Sequence, residues 1–175
     1  TLSNNLLEIA RSEQEIGTIK VQNVRLDEIL IQTQLEFLTL NPSLIIDIDI
    51  RDNTNDDDLD LAVTGNENLL KLIFVNLIDN ACKFSDNKPV KVIIDYRKEN
   101  VILSFQDQGI GIDPHDIPNI FEPFYRAGNA QDKKGHGIGL SLIQKIVNLH
   151  YGSIRIDSKP GKGTIIEVTL PYKHD

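Results

Sequence analysis

Residues 135–151 read GHGIGLSLIQKIVNLHY, in which three glycines at alternate positions run directly into a helical pattern. Because glycine has no Cβ, the backbone at Gly135, Gly137 and Gly139 can come very close to a ligand. The helix that follows offers unpaired N–H groups and the positive end of its dipole, which together favour a phosphate group. The pattern predicts a phosphate site, although a glycine cluster that only caps an ordinary helix stays open as the alternative.

Two familiar glycine loops do not fit this sequence. A dinucleotide-binding fingerprint needs a buried strand immediately before the glycines, but residues 126–134 have the composition of a loop. A second cluster, at 161–164, lacks the spacing of a P-loop and leads into alternating strand residues instead of a helix. Any phosphate site here is therefore of a different kind.

The bulk properties of the chain exclude several classes of protein. Its 175 residues suit one domain, and a net charge of −8 argues against non-specific binding to nucleic acid or anionic lipid. The single cysteine, Cys82, excludes an internal disulfide and suits a reducing cytoplasm. No apolar run approaches the roughly 20 residues of a membrane span. We therefore expect a globular domain that binds no nucleic acid.

The first residues carry a helical pattern that lacks a partner. Leucine and isoleucine recur at helical spacing in residues 2–13, but so short a helix cannot bury its apolar stripe alone. We interpret 1–15 as the end of a longer helix, and the chain as a piece of a longer protein. A strand-like stretch at 19–26 and a helix at 27–41 follow, with Asp27 as the expected N-cap.

Two segments, at 46–50 and 59–63, alternate apolar residues with aspartate and predict strands. The residues between them include the strongly acidic run RDNTNDDD, which we interpret as the turn of a hairpin that joins the two strands. A calcium-binding loop is disfavoured, because no register supplies both a glycine at the sixth position and a glutamate at the twelfth.

A mostly apolar helix is predicted at 67–84, and its few polar residues fall on one side. At about 100° per residue, Asn76, Asp79, Asn80 and Lys83 lie within an arc of roughly 100°. A solvent-facing stripe is the simple explanation. The alternative is a binding site, because amide oxygens ligate hard cations and a lysine one turn away can meet a phosphate.

A hairpin is predicted from 90–96 and 101–107, and its second strand ends in an unusual acid. Val101, Leu103 and Phe105 share one face of that strand, and Asp107 is the next residue in the same phase. An aspartate that only starts a turn is common. The phase nevertheless favours a partly buried carboxylate that accepts a hydrogen bond from a ligand.

The stretch from Gln108 to Lys134 is long and irregular, apart from a short turn of helix near 117–121. A loop of this length in a compact domain is commonly a functional lid. Arg126 and Lys133, with Lys134, place positive charge beside the glycine cluster. We predict that this lid is mobile when empty and orders on a ligand.

Four of these stretches, in this order, resemble the sequence boxes of the ATP-binding domain of sensor histidine kinases. NLIDNACKFS at 76–85 is similar to the asparagine box, and DQGIGI at 107–112 to the first glycine box. FEPFYR at 121–126 is similar to the phenylalanine box, and GHGIGLSL with GKGT to the later glycine boxes. The resemblance covers about 18–171, and LLEIARSE at 6–13 resembles the last turns of the dimerisation helix in that family.

The resemblance implies that the domain binds ATP and Mg²⁺. Asn80 matches the asparagine whose side-chain oxygen binds magnesium, and Lys83 matches the residue beside the phosphates. Asp107 matches the acid that accepts from the adenine amino group, with Thr164 nearby through water. Phe84 matches an aromatic residue packed near the base.

The remaining predicted contacts with the nucleotide come from the asparagine box, the lid and the glycine boxes. They are Asn76, Gly109, Gly111, Ile112, Phe121, Arg126, Lys133, Lys134, Gly135, His136, Gly137, Ile138, Gly139 and Leu140. Asn76, Asn80 and Lys83 are the residues expected to carry the chemistry. His136 stands where threonine is frequent in the family, and we interpret its imidazole as incidental to catalysis.

The fold implied is a two-layer α/β sandwich of the α+β class. Helices near 27–41, 67–84 and 138–151 would cover one face of a mixed sheet, with the nucleotide between the helices and the lid. The domain organisation implied is a remnant of the dimerisation and phosphoacceptor helix at 1–15, followed by the catalytic ATP-binding domain at 16–175.

Three functions remain open at this stage. The first is a histidine kinase that passes the γ-phosphoryl group of ATP to a histidine. The second is a hydrolytic relative of the gyrase and chaperone type, disfavoured because Asn76 replaces the glutamate that activates water there. The third is a nucleotide-binding module without chemistry, disfavoured because the boxes are intact.

The phosphate acceptor is expected to lie outside this chain. None of the histidines, at 115, 136, 150 and 174, stands in the acceptor setting of a histidine followed by an acid on a helix. The resemblance implies a dimerisation domain that carries the acceptor, a response regulator as partner and a homodimeric parent protein, with this piece monomeric. It also implies a cytoplasmic domain whose parent is anchored in the bacterial inner membrane.

Overall fold

The computed structural model describes residues 20–54, 61–133 and 135–172. In these ranges the chain forms three α-helices: α1 (Leu26–Leu40), α2 (Glu67–Phe84) and α3 (Gly139–Leu149). The strands are β1 (Gln22–Val24), β2 (Ile46–Asp52), β3 (Val63–Gly65), β4 (Val90–Tyr96), β5 (Asn100–Gln106), β6 (Ser153–Lys159) and β7 (Gly163–Pro171). The segment 1–15 and Lys134 lie outside the described residues, so the predictions made for them stay predictions.

Five strands form one mixed sheet in the order β2-β4-β5-β7-β6. β2 and β4 are parallel, with Ile46 opposite Val90, and the other neighbours are antiparallel. The predicted hairpin of β4 and β5 is confirmed, and β6 and β7 form a second antiparallel hairpin. β1 and β3 pair separately as a small antiparallel ribbon.

The predicted hairpin between 46–50 and 59–63 is wrong. β2 pairs with β4, and β3 pairs with β1. Alternation identifies a strand but not its partner. The observed register sets buried Ile46 opposite buried Val90 and Asp47 beside Lys91, and Asp49 lies 3.7 Å from the Lys91 ammonium. Opposite charges across neighbouring strands stabilise the pairing, whereas the predicted hairpin would bring two acidic strands together.

The three helices and the sheet bury a common apolar core, as predicted for a two-layer sandwich. α2 lies between α1 and α3 and also packs on β4 and β5. Its buried face includes Leu70, Ile73 and Phe74, and the Phe74 ring meets Phe105 of β5 with centroids 5.8 Å apart. Cys82 belongs to this core. No helix among the described residues is long and apolar enough to cross a membrane.

The first two helices begin in different ways, and the predicted N-cap of α1 is wrong. Asn66 caps α2, since its side chain accepts from the Leu69 amide at 3.0 Å. Asp27 does not cap α1, because it is already inside the helix. Its carboxylate instead binds Arg25 through two hydrogen bonds of 2.8 and 3.0 Å, and accepts from the Tyr96 hydroxyl at 3.2 Å.

A buried histidine joins α3 to the start of α2. The Nε2 atom of His150 accepts from the Asn66 amide at 3.1 Å, and its Nδ1 atom lies 2.7 Å from the Ile146 carbonyl. These contacts require a neutral ring with the proton on Nδ1. His150 therefore holds the two helices together, which fits a structural role for this histidine.

Candidate functional site

A cleft of about 360 Å³ opens between α2, α3 and the lid, which we define as residues 108–133. Most of the residues predicted to bind the nucleotide line it. They are Asn76, Asn80, Lys83, Phe84, Asp107, Gly111, Ile112, Arg126, Gly135, His136, Gly137, Ile138, Gly139, Leu140 and Thr164. Gly109, Phe121 and Lys133 are not among the lining residues.

The polar stripe of α2 faces the start of α3 instead of solvent. The Asn76 side chain donates to the Leu72 carbonyl at 2.9 Å, which leaves its amide oxygen directed across the cleft. A Cβ on Gly139 would stand 3.3 Å from that oxygen and 3.9 Å from the Asn80 amide nitrogen. Glycine at this position lets the first turn of α3 approach both asparagines closely.

Lys83 brings a positive charge to the same place. Its ammonium lies over the Phe84 ring, 4.5 Å from the centroid, and 2.6 Å from where a Cβ on Gly135 would stand. Gly135 also has a φ of +150°, which disfavours any other residue. Burial lowers the pKa of Lys83. The negative charge of Asp79 raises this pKa, whereas the positive charges of Arg126 and Lys133 lower it further.

The N-terminus of α3 supplies hydrogen-bond donors without a side-chain cap. The residue before the helix, Ile138, makes no side-chain cap, and the Ser141 hydroxyl donates to the Ile138 carbonyl at 2.8 Å. The N–H groups of the first turn are therefore available to a ligand. Because this turn faces Lys83 and the two asparagines, the structure concentrates positive potential in one part of the cleft.

Asp107 lies at the other part of the cleft, where β5 ends. One of its carboxylate oxygens accepts from the Gly109 amide at 2.7 Å, and its own amide donates to the Thr164 carbonyl at 3.0 Å. Burial raises the pKa of Asp107, and the hydrogen bond from Gly109 opposes that shift. A hydrogen bond from the Thr164 amide opposes the shift as well, and the carboxylate is partly buried, as the phase of the strand predicted.

Side-chain contacts that no sequence pattern predicted organise the lid. The Asp116 carboxylate accepts from the Tyr125 hydroxyl at 2.6 Å and from the Gly128 amide at 3.1 Å. The Asn129 side chain donates to the Gly111 carbonyl at 2.9 Å. Tyr125 and Asn129 also line the cleft, although neither was predicted as a site residue.

The two cationic residues of the described lid already have partners. The Arg126 guanidinium donates to the carbonyls of Ala130 and Gln131, at 2.5 and 2.9 Å, and to that of Lys133. The Lys133 ammonium binds Asp86, just beyond the end of α2. Arg126 thus stabilises the lid itself, and Lys133 joins the lid to the wall of the cleft.

The other lining residues, which were not predicted to bind the nucleotide, are mainly apolar. They are Leu77, Asp79, Ala81, Phe105, Ile110, Ile120, Ala127, Ala130 and Ile166. In sequence, the apolar members look the same as core residues, because periodicity reports that a side chain is buried and not what it is buried against. Asp79 was visible as part of the polar stripe of α2.

Comparison with known proteins identifies the family. A model of the histidine kinase-, DNA gyrase B- and HSP90-like ATPase family matches residues 65–174. The chain belongs to this family. Membership confirms the resemblance to the histidine kinase ATP-binding domain, and because it is a family of ATPases it also implies the use of a nucleotide.

Two curated relatives show how much of a longer protein this chain represents. The adaptive-response sensory kinase SasA of Crocosphaera subtropica is 41% identical over 112 residues, which cover 63% of this chain and 29% of SasA. The sensor histidine kinase YkoH of Bacillus subtilis is 33% identical over 169 residues, covering 94% of this chain and 35% of YkoH. The chain thus spans about a third of the length of these relatives.

Solved structures share the architecture. The mycobacterial sensor histidine kinase MprB superposes with a TM-score of 0.74 at 25% identity, covering 88% of this chain and 100% of the compared chain. The catalytic domain of the histidine kinase ThkA gives a TM-score of 0.71 at 24% identity, over 87% of this chain and 98% of that one. The two-layer sandwich with a mixed sheet is therefore the fold of histidine kinase catalytic domains.

Proposed function

We propose that this chain is the catalytic ATP-binding module of a sensor histidine kinase, which transfers the γ-phosphoryl group of Mg-ATP to a histidine on a separate dimerisation domain. The observation that carries the proposal is the composition of the cleft. Asn80 and Lys83 face the uncapped start of α3 at one part, where phosphates would bind. Asp107 lies at the other part, where a base would bind.

The donor set fits a magnesium ion held mainly by the nucleotide. Among the described residues no group of three or more His, Cys, Asp or Glu side chains could hold a metal ion. Magnesium usually needs only one or two protein oxygens when substrate phosphates supply the rest. The Asn80 amide oxygen would be that ligand, and the ion would neutralise charge on the phosphates.

The residues around the phosphate site suit transfer better than hydrolysis. Phosphoryl transfer needs little from the protein beyond positioning and charge neutralisation. Lys83 and the first turn of α3 would orient and stabilise the phosphates. Asn76 is an amide and cannot act as a general base toward water, and its nitrogen is already committed to the Leu72 carbonyl. Asp79, one turn from Asn76, is the carboxylate that could support slow hydrolysis.

His150 does not suit a phosphate acceptor, because it is buried and bonded on both ring nitrogens. His115 and His136 are not followed by an acid on a helix, which is the acceptor setting in the family. The acceptor in this proposal belongs to the dimerisation domain of the parent protein. The same proposal includes a homodimeric parent, its anchoring in the inner membrane and a response regulator that receives the phosphoryl group.

Labelled ATP tests the proposal directly. The chain is incubated with Mg²⁺ and γ-labelled ATP, alone and with the separately made helical segment that precedes it in the parent protein. Acid-labile, base-stable label is expected on that segment only. Asn80→Ala should abolish the transfer, and Asn148→Ala, on the exposed face of α3, should not. Rapid release of phosphate without transfer would favour the hydrolytic function, and label on this chain would contradict the proposed acceptor.

A further inference from the structure

The Ser158 hydroxyl connects β6 to the lid and to the start of β7, at Ile112 and Thr164, which both line the cleft. It lies near the end of β6 and is buried, with a relative exposure of 8%. The Ile112 amide donates to its oxygen at 2.9 Å, and the Gly163 carbonyl lies 3.0 Å from it. The Thr164 hydroxyl oxygen lies 2.8 Å away. No feature of the sequence singled out Ser158.

Only one arrangement of the protons makes all three of these contacts hydrogen bonds at the same time. A serine hydroxyl has one proton and two lone pairs. The Gly163 carbonyl can only accept, so the Ser158 proton goes to it, and the Ile112 amide occupies one lone pair. The remaining lone pair of Ser158 must then receive the Thr164 proton. With its proton committed to Ser158, Thr164 presents only lone pairs to the cleft.

Asp107 lies next to Thr164 and is also a hydrogen-bond acceptor. One carboxylate oxygen accepts from the Gly109 amide, and Asp107 lines the cleft, where an ionised carboxylate can only accept. The Asp107 amide donates to the Thr164 carbonyl at 3.0 Å, which keeps the two residues side by side. This part of the cleft therefore presents adjacent acceptors, and it favours a ligand edge that carries an amino group over one that carries a carbonyl.

We propose that Ser158 is a positioning residue that holds the Thr164 hydroxyl as an acceptor and so determines which purine bases the cleft accepts. The inference rests on the proposed nucleotide function and adds a specificity element to it. Without the Ser158 oxygen, the Thr164 proton is free to turn toward the cleft. It could then donate to a carbonyl, and the preference for a 6-amino purine would weaken.

ADP and IDP are the probes, because they differ at position 6 of the purine, where an amino group is replaced by a carbonyl. Their affinities for the full chain are measured by calorimetry with excess Mg²⁺. The wild-type chain is expected to prefer ADP. Ser158→Ala should reduce the ratio of the two affinities by roughly fivefold, the value of one ordinary hydrogen bond. Ser104→Ala, a buried serine on the opposite face of the sheet, should leave the ratio unchanged.

A double variant distinguishes positioning from a general loss of structure. Thr164→Val should reduce the ratio as well, and adding Ser158→Ala to Thr164→Val should reduce it no further, because the two residues act through one hydroxyl. A wild-type ratio in Ser158→Ala overturns the inference, and so does a second full reduction on the Thr164→Val background. If Ser158→Ala does not fold, two variants of Thr164 test the inference instead. Thr164→Ser should have the wild-type ratio of ADP to IDP affinity, and Thr164→Val should have a smaller ratio. A wild-type ratio in Thr164→Val overturns the inference.

The same data separate this inference from the proposed function. A wild-type chain that binds neither diphosphate contradicts the proposed function itself. A chain that binds ADP, but whose ratio does not depend on Ser158, keeps the proposed function and loses only the role of Ser158.

Discussion

The two walls of the cleft are held in different ways. The α2 wall rests on the apolar core, through residues such as Phe74 and Leu77 that are almost completely buried. The lid is held mainly by single polar contacts, those of Asp116, Arg126 and Lys133. Apolar burial scales with area and is lost only on unfolding, whereas exposed polar contacts contribute little each and open locally. We therefore expect the α2 wall to provide most of the stability of the cleft, and the lid to be the part that moves.

Two phenylalanines, one in each wall, give the largest expected contrast. Phe74→Ala removes a ring packed against Phe105 in the core and should lower the free energy of unfolding by about 3–5 kcal/mol. Phe124→Ala, in the lid, removes a side chain that is 65% exposed. It should change the free energy of unfolding by no more than about 0.5 kcal/mol. Urea denaturation of both variants measures the difference. Equal losses would show that the lid is part of the cooperative core.

The second prediction concerns ligand binding at the α2 wall. Asn80→Ala should weaken Mg-ADP binding by roughly tenfold or more, because a magnesium ligand is lost, and it should leave the unfolding of the empty protein unchanged. Wild-type protein at about 100 times the dissociation constant should gain roughly 2.7 kcal/mol of stability. Thermal melting with and without Mg-ADP measures both effects, and Asn148→Ala is the control. If the melting temperature of the wild-type protein does not change with millimolar Mg-ADP, nucleotide binding is contradicted.

The third prediction concerns selectivity at Asp107. Asp107→Asn retains an oxygen for the Gly109 amide but turns an N–H group toward the cleft. The preference for ADP over GDP should fall by about 1–3 kcal/mol, because the acceptor for an amino group has become a donor. Displacement of a fluorescent ADP by unlabelled ADP and GDP gives the ratio. Equal displacement by the two in the wild-type protein would refute the assignment of Asp107.

The pH dependence of that selectivity follows from burial. Burial raises the pKa of Asp107, so its carboxylate gains a proton at a higher pH than an exposed aspartate does. The protonated group no longer accepts with both oxygens. Adenine selectivity should therefore be complete near neutral pH and should fall as the pH is lowered through the raised pKa. The Asp107→Asn variant should show no such transition.

Sequence reasoning worked best where one physical period governs a whole element. The helical pattern predicted α2 with its bounds and its polar stripe, and the alternation in β5 predicted the phase of Asp107. It failed where one distant partner decides the structure. β2 pairs with β4, a strand much later in the chain, and the Ser158 hydroxyl accepts from the Ile112 amide, 46 residues away. Such contacts leave no periodic signal, because they involve one pair of atoms each.

The smallest expected effect tests the connection between the two walls. Asp86 follows the end of α2 with a φ of +54°, and its carboxylate binds Lys133 of the lid. Asp86→Asn removes the charge and keeps the size of the side chain. Asparagine also tolerates a positive φ, so the backbone should not be disturbed. An exposed ion pair contributes about 1 kcal/mol or less, so the free energy of unfolding should not change measurably. Opening of the lid should become about two- to fivefold more frequent.

Cleavage by trypsin measures how often the lid opens, because Arg126 and Lys133 remain as cleavage sites in this variant. Cleavage within the lid of empty Asp86→Asn should be faster than in the wild type by the same factor, since proteolysis follows the population of the open form when closing is fast. Asp157→Asn, an exposed aspartate on β6, is the matched control. Saturating Mg-ADP should slow cleavage in all three proteins if the nucleotide orders the lid. An unchanged rate in empty Asp86→Asn would mean that the ion pair with Lys133 does not hold the lid, and that the contacts of Asp116 and Arg126 alone are sufficient.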